Sequence, residues 1–212
     1  KALQRKPPSP LWQHVLIVLL AGGLCFLPGL NSYGVIDPSD GLYAESAREM
    51  LERSDWITPS FNYKPFFEKP ILIYWMIMAS YNLLGVSEFA ARLPIALCGV
   101  ASCLALLVFT RRFFSPRASL LSALAFMSIP LYVVVGRVAL TDVPLTFFMM
   151  LGALGLFSRL RGAAWPSLAI AYIGLGLALL MKGPVPVGMV GLLVIAYLLL
   201  TRPNGVDGGY RW

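Results

Sequence analysis

Charge is scarce in this chain: 13% of its 212 residues are Asp, Glu, Lys or Arg, while 58% are apolar and the mean hydropathy is positive. Soluble domains carry about 25% charged residues, so the composition excludes that class and indicates an integral membrane protein. Histidine occurs once, as His14 at the start of the first apolar run, which removes Ser-His-Asp chemistry. The three cysteines, Cys25, Cys98 and Cys103, sit inside apolar runs without CxxC or metal-ligand spacing, which excludes a disulfide framework and a zinc site and leaves them as packing residues. No Walker loop, dinucleotide glycine motif, internal repeat or low-complexity tract is present, so a soluble nucleotide donor has no support. The net charge of +7 is not gathered into a basic patch interleaved with aromatics, and no nucleic-acid partner is expected.

What is abundant is apolar length. Segments 11–30, 93–110, 118–136, 143–158, 163–181 and 183–200 are long enough, or nearly so, to cross a bilayer. The first of them follows "KALQRKPPSP" with no small-residue cleavage site after it, so it reads as an anchor rather than a signal peptide. A further apolar segment, 71–86, carries Tyr74, Trp75, Tyr81 and Asn82. As a helix it would rise only about 24 Å against roughly 30 Å of hydrocarbon. Charge decides its placement. With 71–86 along the interface, ten of the seventeen basic residues fall on the cytoplasmic side, including "TRRFFSPR" and "SRLR"; with 71–86 spanning, only six do. The excess of Lys and Arg on cytoplasmic loops favours the interfacial helix, and nine of the ten acids then face outward.

The expected fold class is therefore an all-α membrane protein with about six transmembrane helices and two interfacial helices in a large first extracytoplasmic loop, residues 31–91. An amphipathic helix near 38–53 starts with Asp37 as its cap, Pro38 at the first helical position and Asp40 in the first turn, and Glu49 and Arg53 are spaced as an i,i+4 pair. Gly85 ends the second loop helix, and short connections at 111–117, 137–142, 159–165 and 182–186 join the later spans.

Four constellations carry possible chemistry. In "DPSDGLYAESAREMLERSDW", Asp37 and Asp40 are either helix caps or a general base, since a carboxylate partly desolvated at a membrane boundary gains basicity. In "FNYKPFFEKP", Lys69 precedes Pro70, so its ammonium and the free N–H groups of a helix start would converge on an anion; the alternative is a lysine snorkelling at the interface. Glu68 would hold Lys69 or face a divalent metal, as would Asp142, although neither spacing requires one. "MKGPVPVG" repeats the pattern, with Lys182, a glycine and Pro184 before the next apolar segment, and it too serves either as an anion site or as a turn. In "GRVALTDVPLTFF", Arg137 and Asp142 stand at the outer ends of two spans, as a pair or as functional charges, and Arg92 is a phosphate partner or an interface anchor.

The run "DPSDGLYAESAREMLERSDWITPSFNYKPFFEKPILIYW", followed by "GVSEFAARLPIALCG", "TDVPLTFF" and "LLMKGP", resembles the N-terminal half of GT-C class membrane glycosyltransferases, in the aminoarabinose transferase and protein O-mannosyltransferase-like superfamily. The resemblance covers nearly the whole chain. It implies transfer of a sugar from a polyprenyl-phosphate carrier to a lipid, protein or glycan acceptor on the outer face of the cytoplasmic membrane. By resemblance, an acid of the first outer loop is the catalytic base, Lys69 contacts the carrier phosphate and Asp142 lines the same cavity; beside them, Lys182 and Arg92 are candidate phosphate partners and Tyr43, Glu68 and Arg137 candidate cavity-lining residues. One departure stands out: the family pattern Asp-Glu-x-x-Tyr-Ala-Glu, aligned on Tyr43, Ala44 and Glu45, puts Ser39 at the Asp position and Asp40 at the Glu position, with Leu42 where an arginine is often found. Asp40 is then the first candidate base and Asp37 the second. Family members are much longer, so residues 1–212 are expected to be the N-terminal part of such an enzyme. Two rival readings remain: a transporter or flippase of lipid-linked sugars that cleaves nothing, and a noncatalytic membrane assembly subunit.

Overall fold

The computed structural model describes residues 10–32, 34 and 38–201. Asp37, the expected cap, and the terminal charges Lys1, Arg5, Lys6, Arg202, Asp207 and Arg211 lie outside that range. Among the described residues the chain forms α1 (Leu11–Phe26), α2 (Pro38–Glu52), α3 (Leu72–Leu84), α4 (Glu88–Thr110), α5 (Pro116–Met127), α6 (Pro130–Val135), α7 (Asp142–Leu160), α8 (Pro166–Lys182) and α9 (Val185–Leu200). A small antiparallel hairpin, β1 (Ser60–Phe61) with β2 (Lys64–Pro65), lies between α2 and α3. Nothing in the apolar pattern announces this hairpin; its turn holds Asn62 and Tyr63 at φ 52° and 59°, a left-handed conformation that costs a tyrosine more than an asparagine.

Four helix expectations need correction. The apolar segment 118–136 is two helices, because Pro130 forces Ile129 into an extended conformation (ψ 112°) and cannot donate to the turn before it. Helix α3 begins at Leu72 rather than at Pro70, with Ile71 already in helical geometry at its cap. Glu49 does not pair with Arg53: it is buried and accepts the Tyr63 N–H at 2.9 Å, while Arg48 takes the ionic role by bridging Glu45 and Glu52 at 2.7 and 3.0 Å. Asp142 pairs with Lys182, not with Arg137, whose Nη2 donates to the Pro28 carbonyl. Gly85 does end α3, at φ 80°, where a Cβ would be strained.

Helix α4 is the hub, packing against α1, α3, α5 and α7, while α7 packs along α8 and both meet α9. The α7–α8 seam is built from small residues. A Cβ added at Gly174 would stand 2.7 Å from the Gly152 backbone nitrogen and 2.8 Å from the Phe148 carbonyl, so the two backbones are in contact there. The helices α4 and α7 have the length and apolarity to cross a bilayer, at about 1.5 Å of rise per residue, and α1, α8 and α9 are shorter and equally apolar. Their outward faces carry Leu20, Leu24, Leu192 and Leu200, all exposed, which fits lipid rather than water.

The bundle has two polar ends. At one, the chain following α1, the start of α2, the first turns of α4 and the loop after α6 are tied together through Arg92, as described below. At the other, Arg111 at the end of α4 meets His14 Nδ1 near the start of α1 at 3.3 Å, and Phe157 packs edge-on against Phe113 and Tyr197. Helix α3 stays at the first end. Its early Tyr74 touches Tyr43 of α2 and its late Tyr81 donates to Ala44 O at 3.3 Å, so both ends of α3 meet a single turn of α2. The buried face of α3 (Leu72, Ile73, Ile77 and Met78) joins a cluster with Met50 of α2 and Met181 of α8.

Candidate functional site

The first polar end collects the charged residues singled out in the sequence, but in two different states. Asp40 and Arg92 are buried, at 2% and 1% exposure. Arg92 Nη2 donates to Asp40 Oδ2 at 2.5 Å and its Nε reaches Oδ1 at 3.4 Å. The rest of the guanidinium is committed to backbone: Nη1 donates to Leu30 O at 2.9 Å and Nη2 also to Gly34 O at 3.1 Å. Asp40 Oδ1 in turn accepts the Ala139 N–H at 2.8 Å. A planar five-donor group suits this task, since one arginine can satisfy a carboxylate and two carbonyls in a single buried site. The arrangement is a clamp on four chain segments. Both side chains are thereby held away from the surface, bonded to groups of the protein itself.

The lysines are in the opposite state. Lys182, in the last turn of α8, donates to Asp142 Oδ1 at 2.7 Å with both side chains substantially in solvent, at 40% and 54% exposure. Lys69 donates to Glu68 Oε1 at 3.2 Å, again at the surface. Exposed pairs of this kind contribute about 0–1 kcal/mol to stability, so their ammonium groups are available to a stronger anion at small cost. Gly183 follows Lys182 at φ 75° and Pro184 caps α9, as the spacing implied. Beside Asp142 runs an apolar groove of about 240 Å³ whose walls include Ile129, Leu131, Tyr132, Val135 and Val143, so the break between α5 and α6 opens directly next to the Asp142–Lys182 pair. Among the described residues no group of three His, Cys, Asp or Glu side chains could hold a metal ion.

Two further acids of the loop, Glu45 and Asp55, are held by local hydrogen bonds. Hydrogen bonding from Arg48 holds the Glu45 carboxyl below its usual range and raises the Arg48 guanidinium in return, burial opposing both effects weakly. Asp55 accepts the Ile57 and Thr58 N–H groups at 2.9 and 3.0 Å, which lowers its pKa and fixes the turn into the hairpin. Tyr81 is pushed up to about 12, chiefly by burial. One contributor escaped the sequence reading: the Ala139 backbone N–H, which has no sequence signal.

Residues 68–206, more than half of the chain, match the family model described as dolichyl-phosphate-mannose-protein mannosyltransferase. The chain belongs to this family. Among its relatives, the undecaprenyl phosphate-alpha-4-amino-4-deoxy-L-arabinose arabinosyl transferase 2 of Pseudomonas fluorescens is 34% identical over 163 residues, 76% of this chain and 28% of the relative. The undecaprenyl phosphate-alpha-4-amino-4-deoxy-L-arabinose arabinosyl transferase of Pseudomonas aeruginosa is 30% identical over 191 residues, 88% of this chain and 35% of the relative. The crystal structures of ArnT from Cupriavidus metallidurans, in the apo state and bound to undecaprenyl phosphate, each align with a TM-score of 0.81 and 28% identity over 92% of this chain and 36% of that one. The chain thus spans about a third of the length of these family members. Membership in this superfamily, the apolar outer faces and the crossing-length helices together make it a helical membrane protein.

Proposed function

We propose that this chain is the N-terminal membrane part of a glycosyltransferase that moves a sugar from a polyprenyl-phosphate carrier to a lipid, glycan or protein acceptor. The observation that carries the reading is the lightly held Lys182–Asp142 pair beside an apolar groove, since an isoprenoid phosphate needs a cation for its head next to an oily track for its chain. The relatives named for an undecaprenyl-phosphate donor, and the neighbour crystallised with undecaprenyl phosphate, support the choice of carrier.

In this reading the membrane topology has six crossings, by α1, α4, the broken α5–α6 pair, α7, α8 and α9, with α2 and α3 in the loop between the first two. The Asp40–Arg92 bond supports it, because a spanning α3 would put those two residues at opposite faces of the bilayer. The positive-inside count assigns the Arg111 end to the cytoplasm and the Arg92 end, with the chemistry, to the outer face of the cytoplasmic membrane.

The mechanism follows from the two states of charge. Lys69 and Lys182 release their carboxylates and hold the carrier phosphate, stabilising it as a leaving group where the membrane boundary weakens solvent screening. Asp142 lines the groove beside it and Glu68 stands next to Lys69, and no step requires a metal, although these two are the acids that would face one. Asp40 and Arg92 hold the loop in place. The acceptor proton goes to Asp37, the second candidate base, two positions before Ser39, and the sugar is transferred with inversion. Full-length enzyme assayed with a labelled polyprenyl-phosphate sugar tests this division: Asp37→Asn should abolish turnover in protein that unfolds normally, and unchanged turnover removes the base. Release of free polyprenyl phosphate distinguishes transfer from the transporter reading.

A further inference from the structure

The groove beside Asp142 takes its two walls from successive helices: Leu131, Tyr132 and Val135 belong to α6, and Asp142, Val143 and Thr146 to the first turns of α7. Residues 136–141 join those walls, so the path of this loop sets how far apart they stand. Most of its bonding is local. The N–H groups of Gly136, Arg137 and Val138 go back to Tyr132 O, Val134 O and Val135 O of α6, and Leu140 turns onto Val138 O. At Ala139 the bonding leaves the local chain: the residue is fully buried, and its N–H is accepted at 2.8 Å by Oδ1 of Asp40, 99 positions earlier on α2. A buried N–H requires an acceptor, and a carboxylate makes the stronger bond.

The loop has a second tie, since Arg137 Nη2 donates to the carbonyl of Pro28, two positions before Leu30, whose own carbonyl accepts Arg92 Nη1. The bonds thus close a ring from Asp40 to the loop, through Arg137 to the chain after α1, and through Arg92 back to Asp40. We propose that Asp40 and Arg137 are positioning residues for the groove: by pinning the loop at Ala139 and at its start, they fix the spacing of α6 from α7 and so the width of the apolar track. The residue type at 40 fits this task. Its carboxylate takes Arg92 Nη2 on Oδ2 and the Ala139 N–H on Oδ1, whereas the amide nitrogen of an asparagine would confront one of these two donors with a third. An isoprenoid chain feels a change of width along its length, because a gap between packed apolar surfaces forfeits their contact energy. The phosphate head, held by a lysine, does not.

This inference rests on the proposed carrier site, and chain length separates the two. Full-length enzyme in nanodiscs is titrated with undecaprenyl phosphate and with geranyl phosphate, and the ratio of the two Kd values is compared among wild type, Asp40→Asn, Arg137→Gln and Lys182→Ala. A variant that only lowers the competent fraction scales both constants alike and leaves the ratio untouched. Asp40→Asn is expected to reduce the preference for the longer chain roughly tenfold. Arg137→Gln, which leaves the buried Asp40–Arg92 pair intact and so keeps the test open if Asp40→Asn unfolds, should reduce it in the same direction. Lys182→Ala should weaken both ligands equally, because both carry the phosphate. A wild-type ratio in either folded loop variant, beside a weakened Lys182→Ala, would overturn the positioning role and leave the carrier site standing. If Lys182→Ala binds both ligands as wild type does, the carrier site is misplaced and the positioning role falls with it.

Discussion

Asp40 and Arg92 are almost fully buried and bonded to one another, while Lys182 and Asp142 meet in solvent, and the proposed division of labour rests on that difference in burial. Removing one member of a buried pair leaves an uncompensated charge, so Asp40→Ala or Arg92→Ala should each cost about 3–5 kcal/mol. The measurement is Tm of the purified full-length enzyme, and a loss of activity without a loss of stability would return Asp40 to the chemistry. Lys182→Ala should behave in the opposite way, with stability changed by less than about 1 kcal/mol and the KM for the polyprenyl-phosphate sugar raised. At this scale the sequence was half legible. The residue types and their spacing picked out Asp40, Arg92, Asp142 and Lys182, but which of them are buried depends on Leu30 O, Gly34 O and Ala139 N–H, backbone groups 58 to 99 positions away from their partners in sequence, which no local pattern announces.

The elements were legible where one physical signal dominated. Apolar runs and Pro or Gly punctuation placed α2, α3, α7, α8 and α9 within a few residues, because length and capping decide such helices. The apolar run that became α5 and α6 misled, since hydropathy is blind to the backbone bond that Pro130 removes. The α7–α8 seam makes a clean test of packing. Gly174→Ala would push a methyl into the Gly152 backbone, and an overpacked contact of this kind costs about 1–3 kcal/mol, visible as a lower Tm. The loop ahead of the hairpin gives a pH test. Glu45 and Asp55 have depressed pKa values in the fold, so the stability they contribute is complete above the ordinary carboxylate range and is lost as pH falls through their lowered folded values. Hydrogen exchange at the Ile57 and Thr58 amides, whose N–H groups Asp55 accepts, should therefore quicken on acidification from about pH 4 downward relative to the exchange of the α4 core; equal protection at both pH extremes would contradict this assignment.

For the whole molecule, the central expectation is that α3 does not cross the membrane, and it rests on charge bookkeeping in the sequence and on the Asp40–Arg92 bond in the fold. Neither tells which face of the membrane is outside as directly as labelling does. In a full-length enzyme with Cys25, Cys98 and Cys103 replaced by alanine, Val86→Cys should react with a membrane-impermeant thiol reagent added outside intact cells, and Phe114→Cys only after permeabilisation. Both sites are exposed in the fold, so accessibility reports sidedness rather than burial. The superfamily was legible because its motifs are short linear runs around fixed proline and charge positions; the proposed donor site was less so, because Asp142 and Lys182 are 40 positions apart and meet only where α7 packs against α8. The most direct test of the account is the fate of the carrier. Full-length enzyme in proteoliposomes, supplied with labelled polyprenyl-phosphate sugar and an envelope acceptor fraction, should pass the label to acceptor and liberate one polyprenyl phosphate per transfer, with Lys69→Ala reducing the rate roughly a hundredfold. Movement of intact labelled donor across the bilayer without liberation of polyprenyl phosphate would contradict it.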